Sequence, residues 1–294
     1  MFAISGAAGN LGRLTAQRVA ELVDDVSELV LLSRSPDEAS AVVPGAHARF
    51  ADFNEPESVT AALQGVERVL FVSTDTVDGR SRQHTAAIDA AAVAGVEYIL
   101  YTSMLSPGPS NPALISESHW ATEEHLRTSG IDHTILRFSL YSDFQIYEAL
   151  GALGSGRFVH NRGDGGCSYI ARADCALVAA AVLSGDGHRG TTYELTGPAS
   201  LNAAELAALY SDVGGRAVEA VAVTDDQLLL ELVGDDSGDG HVQYGVALTV
   251  SLGQAIREGH FSAVTSTVHD LTGRQPSTVR HLLEASADTL RATR

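Results

Sequence analysis

The first 140 or so residues alternate between two hydrophobic rhythms. Short apolar runs at 2–5, 28–32, 48–50, 68–73, 98–102 and 134–138 predict six strands. Between them, apolar residues recur at helical spacing. Leu11, Leu14, Val19, Leu22 and Val23 predict a helix over 11–23. Further helices are predicted over 57–63 with Pro56 in the first turn, over 83–94 ended by Gly95, and over 117–129 stopped by Gly130. Strands and helices alternating at this pitch predict a parallel sheet covered on both faces.

After about Ser142 the rhythm weakens. Gly-rich stretches stand at 151–156 and 163–166. Helices are predicted over 174–183, 202–213 and 276–290, and 225–239 begins helical and ends in an acidic loop. A strand at 193–196 is placed to return to the sheet. The expected architecture is an α/β fold with a Rossmann-type doubly wound parallel sheet in residues 1–150. A smaller C-terminal substrate lobe is expected mainly from residues 151–294.

Composition narrows the partners. Of 294 residues, 45% are hydrophobic and 19% charged, enough to bury a sizeable core. A net charge of −18 repels phosphate backbones and anionic lipid, so neither nucleic acid nor membrane is an expected partner. All 19 basic residues are Arg. The missing Lys excludes Schiff-base chemistry and a Walker-type phosphate loop. Cys167 and Cys175 form no CxxC, which fits a reducing compartment and an expected cytoplasmic location. The longest apolar run, 175–183, is too short to cross a bilayer. His119 and His125 lie six apart rather than on one helical face, so no metal site is expected. A monomer and a homodimer are both left open.

The strongest motif is Gly6-Ala7-Ala8-Gly9-Asn10-Leu11-Gly12, between a predicted strand and a predicted helix. Gly6 permits the tight turn, Gly9 lets the backbone approach a pyrophosphate, and Gly12 lets the helix pack close to the strand. The helix start, with Asn10, Leu11 and Gly12, offers free N–H groups to the phosphates. At the end of the second strand, Ser33-Arg34-Ser35 replaces the acid that would hold a ribose 2′-hydroxyl. The guanidinium of Arg34 suits a 2′-phosphate, so NADPH is expected over NADH. Asp52 can accept from the adenine amino group or cap the next helix, and Phe53 can flank the ring. Ser73 and Thr74 should line the path toward the nicotinamide.

Together, Gly6-x-x-Gly9-x-x-Gly12, Arg34, Ala51-Asp52-Phe53, Tyr101-Thr102-Ser103-Met104-Leu105, His119-x-x-Thr122-Glu123, and Leu136-Arg137 followed by Tyr141 carry a resemblance. So do Ala171-Arg172-Ala173-Asp174 and Tyr193-Glu194-Leu195. The chain resembles the NmrA-like group of atypical short-chain dehydrogenase/reductases, and within it the branch of quinone oxidoreductase type 2 and triphenylmethane reductases. The resemblance implies NADPH bound with its nicotinamide facing a cleft between the Rossmann domain and a small lobe. It places Ser103 on the cofactor. The group also includes non-catalytic redox sensors.

Short-chain reductases use a Tyr followed four positions later by Lys, and no Lys exists here. His119 is the expected substitute, donating a proton or polarising an acceptor oxygen, with Glu123 one helical turn on to orient its ring. A packing role for His119 is the alternative. Tyr141, Phe144 and Tyr147 could wall a flat acceptor, although core packing is the simpler expectation for Phe144 and Tyr147. A quinone or dye takes hydride without a strong enzyme acid, so a site without Tyr–Lys suits an electron-poor small-molecule acceptor. A redox-sensing regulator and a ketone, enone or imine reductase of secondary metabolism remain alternatives on the same fold.

Overall fold

The computed structural model describes residues 1–76, 79–233 and 240–292. The first half runs β1 (Phe2–Ser5), α1 (Asn10–Ala20), β2 (Leu29–Ser33), α2 (Pro36–Ser40), β3 (His47–Phe50), α3 (Pro56–Ala62), β4 (Arg68–Phe71), α4 (Arg80–Ala94), β5 (Tyr98–Met104), α5 (Ser116–Thr128) and β6 (Asp132–Phe138). Then come α6 (Phe144–Ser155), β7 (Arg157–His160), α7 (Arg172–Ser184), β8 (Thr192–Leu195), α8 (Ala203–Gly214), β9 (Glu219–Ala222) and α9 (Asp225–Val233). The chain ends with α10 (Gly240–Arg257), α11 (Thr267–Thr272), α12 (Val279–Ala285) and α13 (Ala287–Ala292).

Seven parallel strands form one sheet in the order β3-β2-β1-β4-β5-β6-β8. This is the expected Rossmann-type α/β architecture. The order reverses between β1 and β4, and such a reversal opens a ligand crevice at the carboxyl ends of the strands. Successive strand residues feed opposite cores. Ile4, Leu31 and Leu100 pack with α1 and α7, whereas Ala3, Val30, Leu32 and Ile99 pack with α3, α4 and α5. Burial on both faces explains why β2 reads as an unbroken apolar run.

A third core lies outside this sheet. Ala149, Leu153, Leu206, Tyr210, Ile256 and Leu283 join α6, α8, α10 and α12 around the parallel pair β7–β9. The chain then weaves back. α7 packs on α1, and β8 pairs with β6 in the register Leu136↔Tyr193.

Several elements differ from expectation. The Gly-rich segment at 151–156 lies mostly in α6, because Ala149, Ala152 and Leu153 are buried there and packing overrides the low propensity of Gly151 and Gly154. The helix expected over 276–290 is two, parted at Ser286. α10 and the short strands β7 and β9 carry no clear sequence signal. The loop expected after α9 falls on 234–239, outside the described residues. Phe144 and Tyr147 are not core residues, being 51% and 71% exposed at the start of α6.

Candidate functional site

The turn between β1 and α1 is built from backbone alone. Gly6 has φ of +60°, and its carbonyl accepts from the Gly9 N–H at 2.8 Å. A Cβ on Gly12 would lie 2.2 Å from the Gly6 carbonyl oxygen, so α1 can approach β1 this closely only with glycine there. The Ala7 N–H donates to the Leu32 carbonyl at 3.1 Å, tying the turn to β2. Gly9 caps α1 without a side-chain hydrogen bond, and the first turn holds no acid. The N–H groups of Asn10, Leu11 and Gly12 therefore face an anion-ready helix end.

Hydroxyls knit the carboxyl ends of the neighbouring strands. Ser5 Oγ accepts from the Val72 N–H at 2.8 Å, joining β1 to the end of β4. Thr102 Oγ1 accepts from the Ser73 N–H at 2.9 Å, joining β4 to β5. At the end of β2, Arg34 is exposed and makes no hydrogen bond or ion pair among the described residues. Beside it, Ser33 Oγ accepts from the Ser35 N–H at 2.9 Å. Asp52 does not cap α3, whose N-cap is Glu55. Instead its Oδ1 accepts from the Asn54 N–H at 2.8 Å and shapes the loop. Phe53 packs edge-on against Phe71, ring centroids 5.4 Å apart.

His119 lies in the first turn of α5, 5% exposed, and its partner is not Glu123. Its Nδ1 stands 2.9 Å from the Tyr101 hydroxyl, which is 3.2 Å from Nδ1 of His84 on α4. The surrounding bonds constrain the protons of this group. The Thr122 hydroxyl donates to the Ser118 carbonyl at 2.7 Å, so toward His84 Nδ1, 3.0 Å away, it accepts. The Thr74 N–H donates to His84 Nε2 at 3.0 Å. Both bonds require the Nδ1–H form of His84. With that proton directed at its oxygen, the Tyr101 hydroxyl can donate its own to Nδ1 of His119, 2.9 Å away. The Nε2 of His119 finds no partner among the described residues and is not sealed from solvent.

Burial keeps this group neutral. It pushes His84 down to about 3 and His119 well below the usual imidazole range, with the charge of Arg80 adding to both. The same burial raises the Tyr101 phenol. Thr74 also donates through Oγ1 to Gln83 Oε1 at 2.9 Å, so the loop after β4 is tied to α4 twice.

Glu123 serves a different purpose. It is fully buried and accepts from Ser103 Oγ at 2.6 Å, Arg127 Nη2 at 2.7 Å, and Arg137 Nε and Nη2 at 3.0 and 2.6 Å. Burial alone would raise its pKa, but these donors outweigh that and hold it below the usual carboxylate value. Ser103 is thereby oriented by Glu123 rather than free. Tyr141 sits apart from the His119 group. The Arg172 guanidinium lies 4.5 Å over its ring, and Ile170 bridges its backbone. Burial raises its phenol as well.

The sequence did not point to His84, and it singled out Tyr101 only within the motif that carries the family resemblance. The trace of His84 is its place on the buried face of α4, beside Arg80 and Gln83 and before Ala87 and Ile88. Among the described residues, no cluster of His, Cys, Asp or Glu is arranged to hold a metal, and no helix is long and apolar enough to cross a membrane. Both cysteines are buried, and burial pushes the Cys167 thiol up to about 12.

Known proteins share this fold. The NAD(P)H-binding family pattern matches residues 6–186. Quinone oxidoreductase 2 of Escherichia coli is 39% identical over 219 residues, covering 74% of this chain and 76% of that protein. An NAD(P)H azoreductase of Xenophilus azovorans is 28% identical over 294 residues, covering 98% of each. The crystal structure of an E. coli NADPH-dependent quinone oxidoreductase with NADPH matches at a TM-score of 0.91 and 32% identity, over 97% of this chain and 99% of that one. The Citrobacter sp. triphenylmethane reductase with NADP(H) matches at 0.87 and 30% identity, over 98% of this chain and 100% of that one. With a Gly6–Gly12 turn at the switch point and matches of this extent, the chain belongs to the NAD(P)H-binding, NmrA-like family.

Proposed function

We propose that this chain is an NADPH-dependent reductase that passes a hydride to a small electron-poor acceptor, a quinone or a dye. The carrying observation is the open Nε2 of His119, whose Nδ1 is held by the Tyr101 hydroxyl. A neutral ring with its Nε2–H turned to accessible space is a hydrogen-bond donor for an oxygen or nitrogen that gains negative charge. The dinucleotide, when bound, supplies the hydride. The open end of α1 fits its pyrophosphate, with Gly6 and Gly9 in the turn and the Asn10, Leu11 and Gly12 N–H groups as donors. Arg34, unpartnered beside Ser33 and Ser35, fits a 2′-phosphate.

On this reading Asp52 and Phe53 flank the adenine, while Ser73, Thr74 and Ser103 line the way to the nicotinamide. Tyr141, held under Arg172, walls the acceptor. Residues 1–150 supply most of the nucleotide side, and 151–294 mainly the acceptor side. The two buried thiols suit the reducing cytoplasm, where the protein would act as a monomer or homodimer.

The test is NADPH oxidation, followed at the nicotinamide absorbance band, against quinones, triphenylmethane dyes, enones and ketones, with NADH in parallel. Turnover with a quinone or dye is expected, faster with NADPH. His119→Ala should lower kcat about a hundredfold while leaving NADPH affinity near its starting value. Tight cofactor binding without oxidation by any acceptor would overturn the reading in favour of a redox-sensing regulator.

A further inference from the structure

Arg80 is a largely buried cation without a counter-ion among the described residues. It opens α4 and is 9% exposed. Its Nε is sealed from solvent and makes no hydrogen bond, and neither Nη has a partner among the described residues. Other shielded arginines are matched: Arg137 by Glu123, Arg162 by Glu148, Arg172 by Asp143 and Arg68 by Asp186. A guanidinium cannot escape burial by losing its proton. The Arg80 Nη groups are not sealed and face solvent where the other shielded arginines face a carboxylate, in a chain with 37 acidic residues.

The fold indicates which anion belongs there. Arg80 and His84 are four apart on α4 and share a helical face. His84 bonds to Thr122 of α5 and to Tyr101, so Arg80 flanks the His119 group. The pyrophosphate has its own donors at the start of α1, beside β1, and a 2′-phosphate has Arg34 beyond β2. In the order β3-β2-β1-β4-β5, both lie on the far side of β4 from β5 and its neighbour α5. The group left for Arg80 is one carried by the molecule that meets His119.

We propose that Arg80 is a specificity-determining residue that pairs with an anionic substituent, a carboxylate or sulfonate, on the electron acceptor. This rests on the reductase reading and deepens it. Two open Nη donors suit the paired oxygens of such a group. A cationic dye would instead meet like charge in a sheltered site.

The experiment compares 1,4-naphthoquinone with 1,4-naphthoquinone-2-sulfonate in wild type and in Arg80→Met, which keeps length and loses charge. Taking the ratio between proteins cancels the intrinsic reactivity of each quinone. Arg80→Met should lower kcat/KM for the sulfonate by about tenfold or more, the size of one lost charge-assisted hydrogen bond. It should change the parent quinone by less than about twofold, and Arg80→Lys should keep part of the preference. The NADPH Kd, read from its fluorescence, should stay constant, and the Tm of the ligand-free protein should hold or rise. Equal losses for both quinones, a weakened NADPH complex or a fall in Tm would each overturn the proposal. If no acceptor is turned over, the reductase reading fails by itself. Calorimetric titration of naphthalene-2-sulfonate into the NADP⁺-saturated protein then decides: binding lost in Arg80→Met supports anion recognition, and no binding to wild type overturns it.

Discussion

Replacing Glu123 tests whether that carboxylate serves the fold or the chemistry. Glu123→Ala removes the acceptor of four hydrogen bonds, three of them from guanidinium groups. The losses are unequal. Arg127 is partly exposed and keeps Glu124, so it can turn outward at little cost. Arg137 is more shielded, with Glu194 no nearer than 3.8 Å, and it becomes the stranded charge. Breaking such a buried pair costs about 3–5 kcal/mol. Glu123→Gln keeps the volume and part of the hydrogen bonding, so about half that loss is expected. Urea unfolding at pH 7, read by circular dichroism, gives both values. NADPH oxidation by the Gln variant, measured well below its transition, should retain the wild-type pH profile of kcat, because Glu123 does not touch His119. A loss below about 1 kcal/mol for Glu123→Ala, or a displaced pH profile in Glu123→Gln, would refute the assignment.

Two further outcomes follow from the site. Arg34→Ala should raise the KM for NADPH by about tenfold or more and leave that for NADH nearly unchanged, since the guanidinium would meet only the 2′-phosphate; equal effects would refute it. His84 and His119 are held neutral with depressed pKa values, so the unfolded chain binds protons that the folded chain does not. Their contribution is complete above the unfolded histidine value near 6.5 and is lost as pH falls below it, down toward about 3 for His84. The unfolding free energy should therefore fall by about 1.4 kcal/mol per pH unit from His84 alone between pH 6 and 4, and His84→Gln should flatten the slope.

What the sequence disclosed depended on how local the cause was. The Gly6–Gly12 turn was legible because its geometry arises within seven residues. The alternation was legible because β1, β2, β4, β5 and β6 each feed buried side chains to both faces. β7 and β9 were hidden because Arg157, His160 and Glu219 break up runs of four residues. Tyr101, His84 and His119 come from β5, α4 and α5, so only the sheet brings them together. Spacing on α5 paired His119 with Glu123, but Arg137 of the neighbouring β6 claims that carboxylate. Phe144 and Tyr147 show the reverse error, where apolar character did not mean burial.

The return of the chain to its first sheet makes the nucleotide-binding layer discontinuous in sequence. α7 covers α1, and β8 occupies the outer edge of β6, only after the excursion through α6 and β7. A ribosome would have to deliver almost 200 residues before that layer could close. Until then β6 stands as a bare edge able to pair with another nascent chain. The fold thus resists modular shuffling: a fragment ending near residue 150 is an exposed template, and the second core, drawn from segments on both sides of β8, cannot be exchanged as one piece.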